Sequence, residues 1–297
     1  MNGKIATGCA VAGAAFVLFL ALHFNRVSSV QSSEPANSRT VTDEAGRVVH
    51  LPARPERIVS LCTSATDTIV RLGEVSRLKA VDEYGRIVPG VKGVPALGRA
   101  AALSRESVLA VRADLAFVWW YQDDAAQLLE ESGVPVVRVR CGRASDVPGM
   151  IRLVGECMGC SEKAENLALS VSAFLGSARN ENPIARPRVY AEMYGPFKTE
   201  GAGTYLNDLI TLARGENVAA DASGSVLFSP ERLIHADPDV ILYVDEFATV
   251  EAIAGRSGLQ TLRAVREKHI KPISRYWLVA GAGLPEMVEH LRSLIEE

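Results

Sequence analysis

Cys157 and Cys160 stand in a Cys-x-x-Cys spacing. That spacing serves a local disulfide, a dithiol redox pair or half of a zinc site. Zinc needs further ligands, and the chain has no second Cys-x-x-Cys and no histidine nearby. The pair also falls inside a helical pattern rather than after a strand, which argues against a thioredoxin-like motif. A local disulfide or two helix cysteines is the expected reading, and an extracytoplasmic redox enzyme using Cys157 and Cys160 is the alternative. With Cys62 and Cys141 included, four thiols allow several pairings, and the sequence does not choose among them. His50, His235, His269 and His290 are scattered without i, i+4 spacing, so no metal site is expected. No G-x-S-x-G elbow, G-x-x-x-x-G-K-[ST] loop or H-E-x-x-H helix is present. No catalytic residue and no cofactor are therefore expected.

The aromatic and cationic residues point to binding instead. Tyr84 and Arg86, Arg99, the run Trp119-Trp120-Tyr121, the group Tyr194, Phe197 and Lys198, Phe247, and Arg275-Tyr-Trp277 each follow a strand-like apolar run or lie in the loop beyond it. In α/β proteins ligands sit beyond the C-terminal ends of strands. The candidate ligand-binding residues are Tyr84, Arg99, Trp120, Tyr121, Tyr194, Lys198, Arg275 and Trp277. Rings bury area at little entropic cost, and guanidinium suits oxygen-rich faces. A bulky, flat-faced, partly anionic ligand such as a metal chelate fits that set.

One phrase occurs twice. Ser104-Arg-Glu106, eight further residues to Asp114, then Leu-Ala-Phe-Val recurs without a gap as Ser229-Pro-Glu231, Asp239, then Val-Ile-Leu-Tyr. Each copy predicts a serine-capped short helix feeding a buried strand, with Pro230 at a first helical position that tolerates proline. Two copies imply two similar lobes and a cleft between them. Glu106 and Glu231 fall in the first helical turns. An acid there complements the helix dipole by about 0.3–1 kcal/mol. Two of them on opposite lobes also form a bidentate grip for arginines.

The elements around these residues alternate. A hairpin spans residues 39–52. Strands at 57–62, 78–81, 115–119 and 134–139 are separated by helices at 65–72, capped by Ser64, and at 125–132. A single long helix runs from 146 to 178. A second series follows, with strands at 188–193 and 270–273, helices at 205–213 and 258–263, and a terminal helix at 285–297. This predicts an α/β fold of two Rossmann-like lobes with mainly parallel sheets, 39–145 and 183–297, joined by one long α-helix within 146–182. A stiff connector predicts small rocking motions and a cleft largely formed before ligand arrives.

With 297 residues the chain has room for two cores, and 48% apolar with 23% charged residues is a globular composition. A net charge of −3 gives no electrostatic support to nucleic-acid binding. Residues 1–30 place Lys4 before an apolar run from Ile5 to Leu22, the pattern of a signal peptide or membrane anchor. A polar linker follows at 31–38. The folded body is thus expected in the periplasm or on the outer face of the cytoplasmic membrane.

Several stretches carry a family likeness: Val41-Thr-Asp-Glu-Ala-Gly-Arg47, Pro55-Glu-Arg-Ile-Val-Ser-Leu61, Thr63-Ser-Ala-Thr-Asp67, Gly133-Val-Pro-Val136, Gly203-Thr-Tyr205, Gly215-Glu-Asn-Val218 and Pro238-Asp-Val-Ile241. In this order, over 39–297, the chain resembles the helical-backbone, or class III, solute-binding proteins of bacterial ABC importers, which carry ferric siderophores, haem and cobalamin. The resemblance implies a monomeric, non-enzymatic receptor that captures an iron chelate of siderophore type and delivers it to an ABC permease dimer. Cobalamin or haem in the same role is the alternative, and a membrane-tethered sensor or scaffold is a third. Glu106 and Glu231 match the family's permease-docking acids. In the haem-binding branch a tyrosine ligand lies near the position of Arg99, whereas an arginine there is similar to siderophore binders. Tyr84 or Tyr121 could take the tyrosine's place. The family's terminal Gly-Pro-Arg is replaced by Gly281-Ala-Gly283, which removes a cation near the cleft.

Overall fold

The computed structural model describes residues 38–180 and 186–297. The expected signal or anchor at 1–30 and all of the linker but Ser38 lie outside them. Arg39–Glu297 forms one unit, and the described chain begins with the expected hairpin, Ser38–Thr42 (β1) and Val48–Pro52 (β2). The first lobe follows as Ile58–Ser60 (β3), Thr63–Arg71 (α1), Leu78–Val81 (β4), Arg105–Val111 (α2), Leu115–Trp119 (β5), Asp123–Glu131 (α3) and Val136–Val139 (β6). Its strands pair in parallel in the order β4-β3-β5-β6, with Ile58 opposite Leu115 and Ala116 opposite Val136. These strands are buried on both faces, as continuous apolar runs require.

Val147–Met158 (α4) and Ser161–Asn180 (α5) come next. The second lobe comprises Arg188–Glu192 (β7), Lys198–Glu200 (β8), Tyr205–Leu212 (α6), Glu216–Asn217 (β9), Ser225–Leu227 (β10), Pro230–Ala236 (α7), Val240–Val244 (β11), Val250–Ala254 (α8), Arg263–Arg266 (α9), Ile270–Ile273 (β12) and Leu284–Glu296 (α10). Its parallel sheet runs β12-β11-β7-β9. Each sheet is four-stranded and parallel, with the lobe's first strand in an inner position beside the strand that follows the duplicated helix. The two lobes therefore share this core arrangement, and β8 with β10 adds a small antiparallel pair to the second.

The duplicated phrase lands at the same place in each lobe, on the helix before the strand that pairs with the lobe's first. Ser104 accepts from the Ser107 backbone N–H and Ser229 from that of Arg232, both at 3.2 Å. Each helix ends on a left-handed residue, Arg112 or Asp237. The repeated aspartate ties that strand to the first. Asp114 accepts from Glu56 N and Arg57 N at 2.8 Å each, and Asp239 from Arg188 N at 2.7 Å. Ser64 is not the cap expected of α1. Cys62 holds that position, and the Ser64 hydroxyl is buried without a partner among the described residues.

The connector differs from the single helix expected. It breaks at Gly159, which is left-handed with φ 69°, so α4 stays with the first lobe and α5 crosses to the second. Apolar periodicity continues across the break and hides it from sequence. Arg39 donates to the Glu156 and Cys157 carbonyls and so satisfies the end of α4. With 20 residues, α5 spans about 30 Å, reaching from α4 to α10. One apolar core continues from Ile58 and Phe117 through Ile151 and Val171 to Leu209 and Leu291, so the lobes are joined by packing as well as by chain.

Close approach of α4 to α5 depends on Gly155, where a Cβ would collide with that of Ala164. Overpacking costs about 1–3 kcal/mol, more than the about 1 kcal/mol that alanine gains over glycine in a helix. Gly155→Ala is expected to lower the midpoint of thermal unfolding by a few degrees, and adding Ala164→Gly to restore it. A midpoint unchanged in the single variant would contradict the packing described.

Candidate functional site

Parallel strands deliver their following loops to one edge of a sheet, and in both lobes those loops face a shared cavity of about 730 Å³. From the first lobe come Thr63 after β3, Tyr84 after β4, Trp119, Trp120 and Tyr121 at the end of β5, and Cys141 and Gly142 after β6. From the second come Met193 and Tyr194 after β7, Phe247 after β11, and Arg275 and Leu278 after β12. Glu200, the turn Gly203 to Leu206 that opens α6, Ser225, Val279 and Ala280 complete the wall.

Each lobe contributes an aromatic face. Trp120 meets Trp119 and Tyr121 edge-on, at centroid distances of 6.0 and 4.8 Å. Opposite them Tyr194 packs against Phe247 at 6.3 Å. These rings are far from buried: Trp120 is 39% exposed, Tyr194 52% and Tyr121 60%. A concave surface that holds large rings half-exposed is arranged to be covered by something else.

Arg275 joins the two faces. Its guanidinium lies 4.7 Å from the Tyr84 ring of the first lobe and 5.0 Å from the Phe247 ring of the second. It also pairs with Glu246 at 2.7 Å, so its charge is already compensated. It is the single cation of the lining among the described residues. The lining carboxyl, Glu200, has no cationic partner there, and burial raises its pKa above the usual carboxylate range. Desolvation likewise raises Tyr194 and pushes Tyr121 up to about 12, so both stay protonated hydrogen-bond donors near neutral pH.

Of the residues expected at the site, Tyr84, Trp120, Tyr121, Tyr194 and Arg275 line the cavity, whereas Arg99, Lys198 and Trp277 do not. Arg99 is exposed at the start of the short turn Ala100–Ala102. Lys198 begins β8 with its side chain in solvent, and the other end of that strand supplies Glu200. The reason for Trp277 is local geometry. Arg275–Leu278 is a 3₁₀ turn, in which residues three apart share a face. Arg275 and Leu278 thus turn to the cavity, while Trp277 stacks on His290 of α10 at 4.2 Å. Arg86 pairs with Glu83 at 3.3 Å, and Phe197 packs under Arg256 at 4.9 Å; neither lines the cavity. Glu200 and Ser225 escape the sequence because β8 and β10 are three residues long and lack a readable alternation, and Thr204 enters as the N-cap of α6.

Below the cavity, two polar contacts clamp the lobes. Arg143 donates twice to Asp208, each time at 2.7 Å. Asp67 of α1 accepts from Gly283 N at 2.9 Å, from the Tyr276 hydroxyl at 3.3 Å and from Arg71, which reaches Glu286 at 2.9 Å. Gly281 packs directly on Asp67, where a Cβ would collide with the side chain, and Gly283 packs against the Arg71 guanidinium. The departure from Gly-Pro-Arg thus coincides with close docking of the second lobe onto α1.

Asp82, just after β4, is buried and accepts from Gly85 N at 2.7 Å. Burial, only partly offset by backbone hydrogen bonds, raises its pKa to about 7. An unfolded aspartate ionises near 3.9. Between those values the folded chain keeps a proton that the unfolded chain has released. Stability from this group therefore falls as pH rises from about 4 to 7, and levels off above. Asp82→Asn keeps an acceptor for Gly85 and is expected to gain in thermal midpoint relative to the parent at pH 8, and less at pH 5. An equal difference at both pH values would contradict a buried, late-ionising Asp82.

Cys62, Cys141, Cys157 and Cys160 are all free thiols. Cys157 is buried, and desolvation raises its pKa well above that of a free cysteine, the opposite of a reactive thiolate. No cluster of metal-ligating residues occurs among the described residues.

Two like-built lobes on a helical connector, with an aromatic cavity between them, define a bilobal solute-binding protein. The chain belongs to the periplasmic binding protein family, whose model matches residues 58–275. It is 25% identical over 268 residues to the uncharacterized ABC transporter substrate-binding lipoprotein YvrC of Bacillus subtilis, covering 86% of this chain and 84% of that one. A cobalamin-binding protein of Halobacterium salinarum is 27% identical over 216 residues, covering 68% of this chain and 58% of the relative. Among solved structures, the periplasmic heme-binding protein RhuT of Roseiflexus superposes with a TM-score of 0.74 at 26% identity, covering 81% and 97% of the two chains. The protein is the substrate-binding component of an ABC importer, a solute-binding protein and not an enzyme. No helix among the described residues is long and apolar enough to cross a membrane.

Proposed function

We propose that the protein captures a corrinoid of the cobalamin type outside the cytoplasm and presents it to an ABC permease. The observation that carries this reading is the charge of the cavity. Its one cation among the described residues, Arg275, is neutralised by Glu246, so the lining offers no free positive charge. A polyanionic ferric chelate or an oxyanion would enter against that balance. A corrinoid suits it better, because its ring faces are apolar and its edge carries neutral amides. Aromatic walls cover such faces, and the Tyr121, Tyr194, Thr204 and Glu200 oxygens meet the amides. The cobalamin-binding relative supports the same cargo. The iron chelate expected from sequence leaned on Arg99 and Lys198, which stand outside the lining. Tyr84, Trp120, Tyr121, Tyr194 and Arg275 are the binding residues of this reading.

Glu106 and Glu231 are proposed as the permease contacts. Both are exposed, on equivalent helices of the two lobes, and their carboxylates make no hydrogen bond or ion pair among the described residues.

Titration calorimetry of the purified protein with cyanocobalamin, hemin and ferric citrate tests the cargo. Cyanocobalamin is expected to bind one to one with a Kd of about 1 μM or tighter, and ferric citrate at least about 100-fold more weakly. Tight binding of ferric citrate or hemin with no cyanocobalamin response would overturn the assignment.

A further inference from the structure

Val108 and Leu233 occupy equivalent positions in the duplicated helices, and each is 1% exposed. They anchor α2 and α7 to their lobes. The next residue in each copy is a large aliphatic that faces water: Leu109, 52% exposed, and Ile234, 38% exposed. Each lies three residues beyond its glutamate, which puts acid and aliphatic side by side on one helical face. A single exposed leucine is ordinary. The same exposure at matching positions of two lobes, each beside an unpaired acid, calls for a common cause. The neighbouring cations are engaged elsewhere: Arg232 with Asp221 and the Phe228 ring, Arg105 with the Glu131 carbonyl.

We infer that Glu106 with Leu109, and Glu231 with Ile234, form two matched half-sites for one two-fold symmetric partner. Each copy of that partner offers a basic side chain beside an apolar socket. The occupant is the importer's permease, so this inference rests on the docking role proposed above and adds to it the apolar half of the contact. A symmetric dimer presents one socket twice, which suits lobes that repeat one core arrangement. A second copy of this chain is a poor occupant, because it would set acid against acid. The two parts of each half-site act at different stages. The glutamates steer the approach through long-range charge, and the aliphatics are desolvated on contact and slow release.

The test compares the protein with L109S/I234S and with E106Q/E231Q for binding to the cognate permease in lipid nanodiscs, by surface plasmon resonance at several salt concentrations. L109S/I234S is expected to dissociate at least roughly tenfold faster with association changed less than about twofold, and with unchanged thermal unfolding. E106Q/E231Q is expected to associate more slowly and to lose salt dependence. Dissociation of L109S/I234S at the parent rate would overturn the inference while leaving acid docking intact. A parent protein with no affinity for the permease would overturn the docking role itself. Self-association of the parent, lost in L109S/I234S with permease kinetics unchanged, would assign the surface to a second copy and equally overturn it.

Discussion

Trp120→Ala combined with Tyr194→Ala is expected to weaken cyanocobalamin binding by roughly 100- to 1,000-fold. The two rings stand on opposite lobes and are 39% and 52% exposed in the cleft. An aromatic side chain presents about 150–250 Å² in all. The part still exposed, about half, contributes about 2 kcal/mol per ring when a ligand covers it, at about 25 cal/mol/Å². Losing both sums to about 3–4 kcal/mol, and each 1.4 kcal/mol is about tenfold in Kd. The fold should be indifferent, because neither ring belongs to the buried core. Calorimetry with a parallel thermal scan separates the outcomes. Unaltered affinity with unaltered stability would take the aromatic walls out of the binding site.

Charge reversal at both proposed docking acids should have the other large effect. Glu106→Lys with Glu231→Lys is expected to abolish cargo uptake by cells while leaving cyanocobalamin affinity within about twofold, since both residues are exposed and outside the cavity. Helix stability cannot explain such a loss. Each first-turn acid is worth only about 0.3–1 kcal/mol, and Ser104 and Ser229 keep their caps. Reversal replaces two attractive contacts by two repulsive ones, which costs several kcal/mol at an interface. Normal uptake by the double variant would show that the permease grips some other surface. Collapse of ligand affinity would place these acids in the site or the fold.

Much of this architecture is legible in the chain. The repeated Ser–Glu–Asp phrase marks the same strand of each lobe because each of its residues plays a local part there. The serine caps the helix, the glutamate stands exposed in its first turn, and the aspartate clasps the first strand. Apolar runs of strand length announce parallel sheets buried on both faces, and Tyr84, Trp120, Tyr121, Tyr194 and Phe247 beyond their ends reach the cavity. What stays hidden depends on geometry that spacing does not carry. The break at Gly159 interrupts no apolar period, and the need for Gly155 arises only when α5 folds back onto α4. Trp277 and Arg275 are two residues apart, yet a 3₁₀ turn sends one to α10 and the other to the cavity. Glu200 enters from a three-residue strand. In the corrinoid reading proposed above, the Glu246–Arg275 pair and the placement of Arg99 and Lys198 outside the lining remove the positive charge that the arginines and lysine of the sequence suggest.

The competition of cargoes for one cleft tests the central claim most directly. Purified protein is mixed with equal concentrations of cyanocobalamin, hemin and ferric citrate, each in excess, then desalted, and its visible spectrum is recorded. Retention of one corrin chromophore per chain, absent after Trp120→Ala with Tyr194→Ala, is the expected result. A retained haem or ferric-chelate band in place of the corrin would contradict the account.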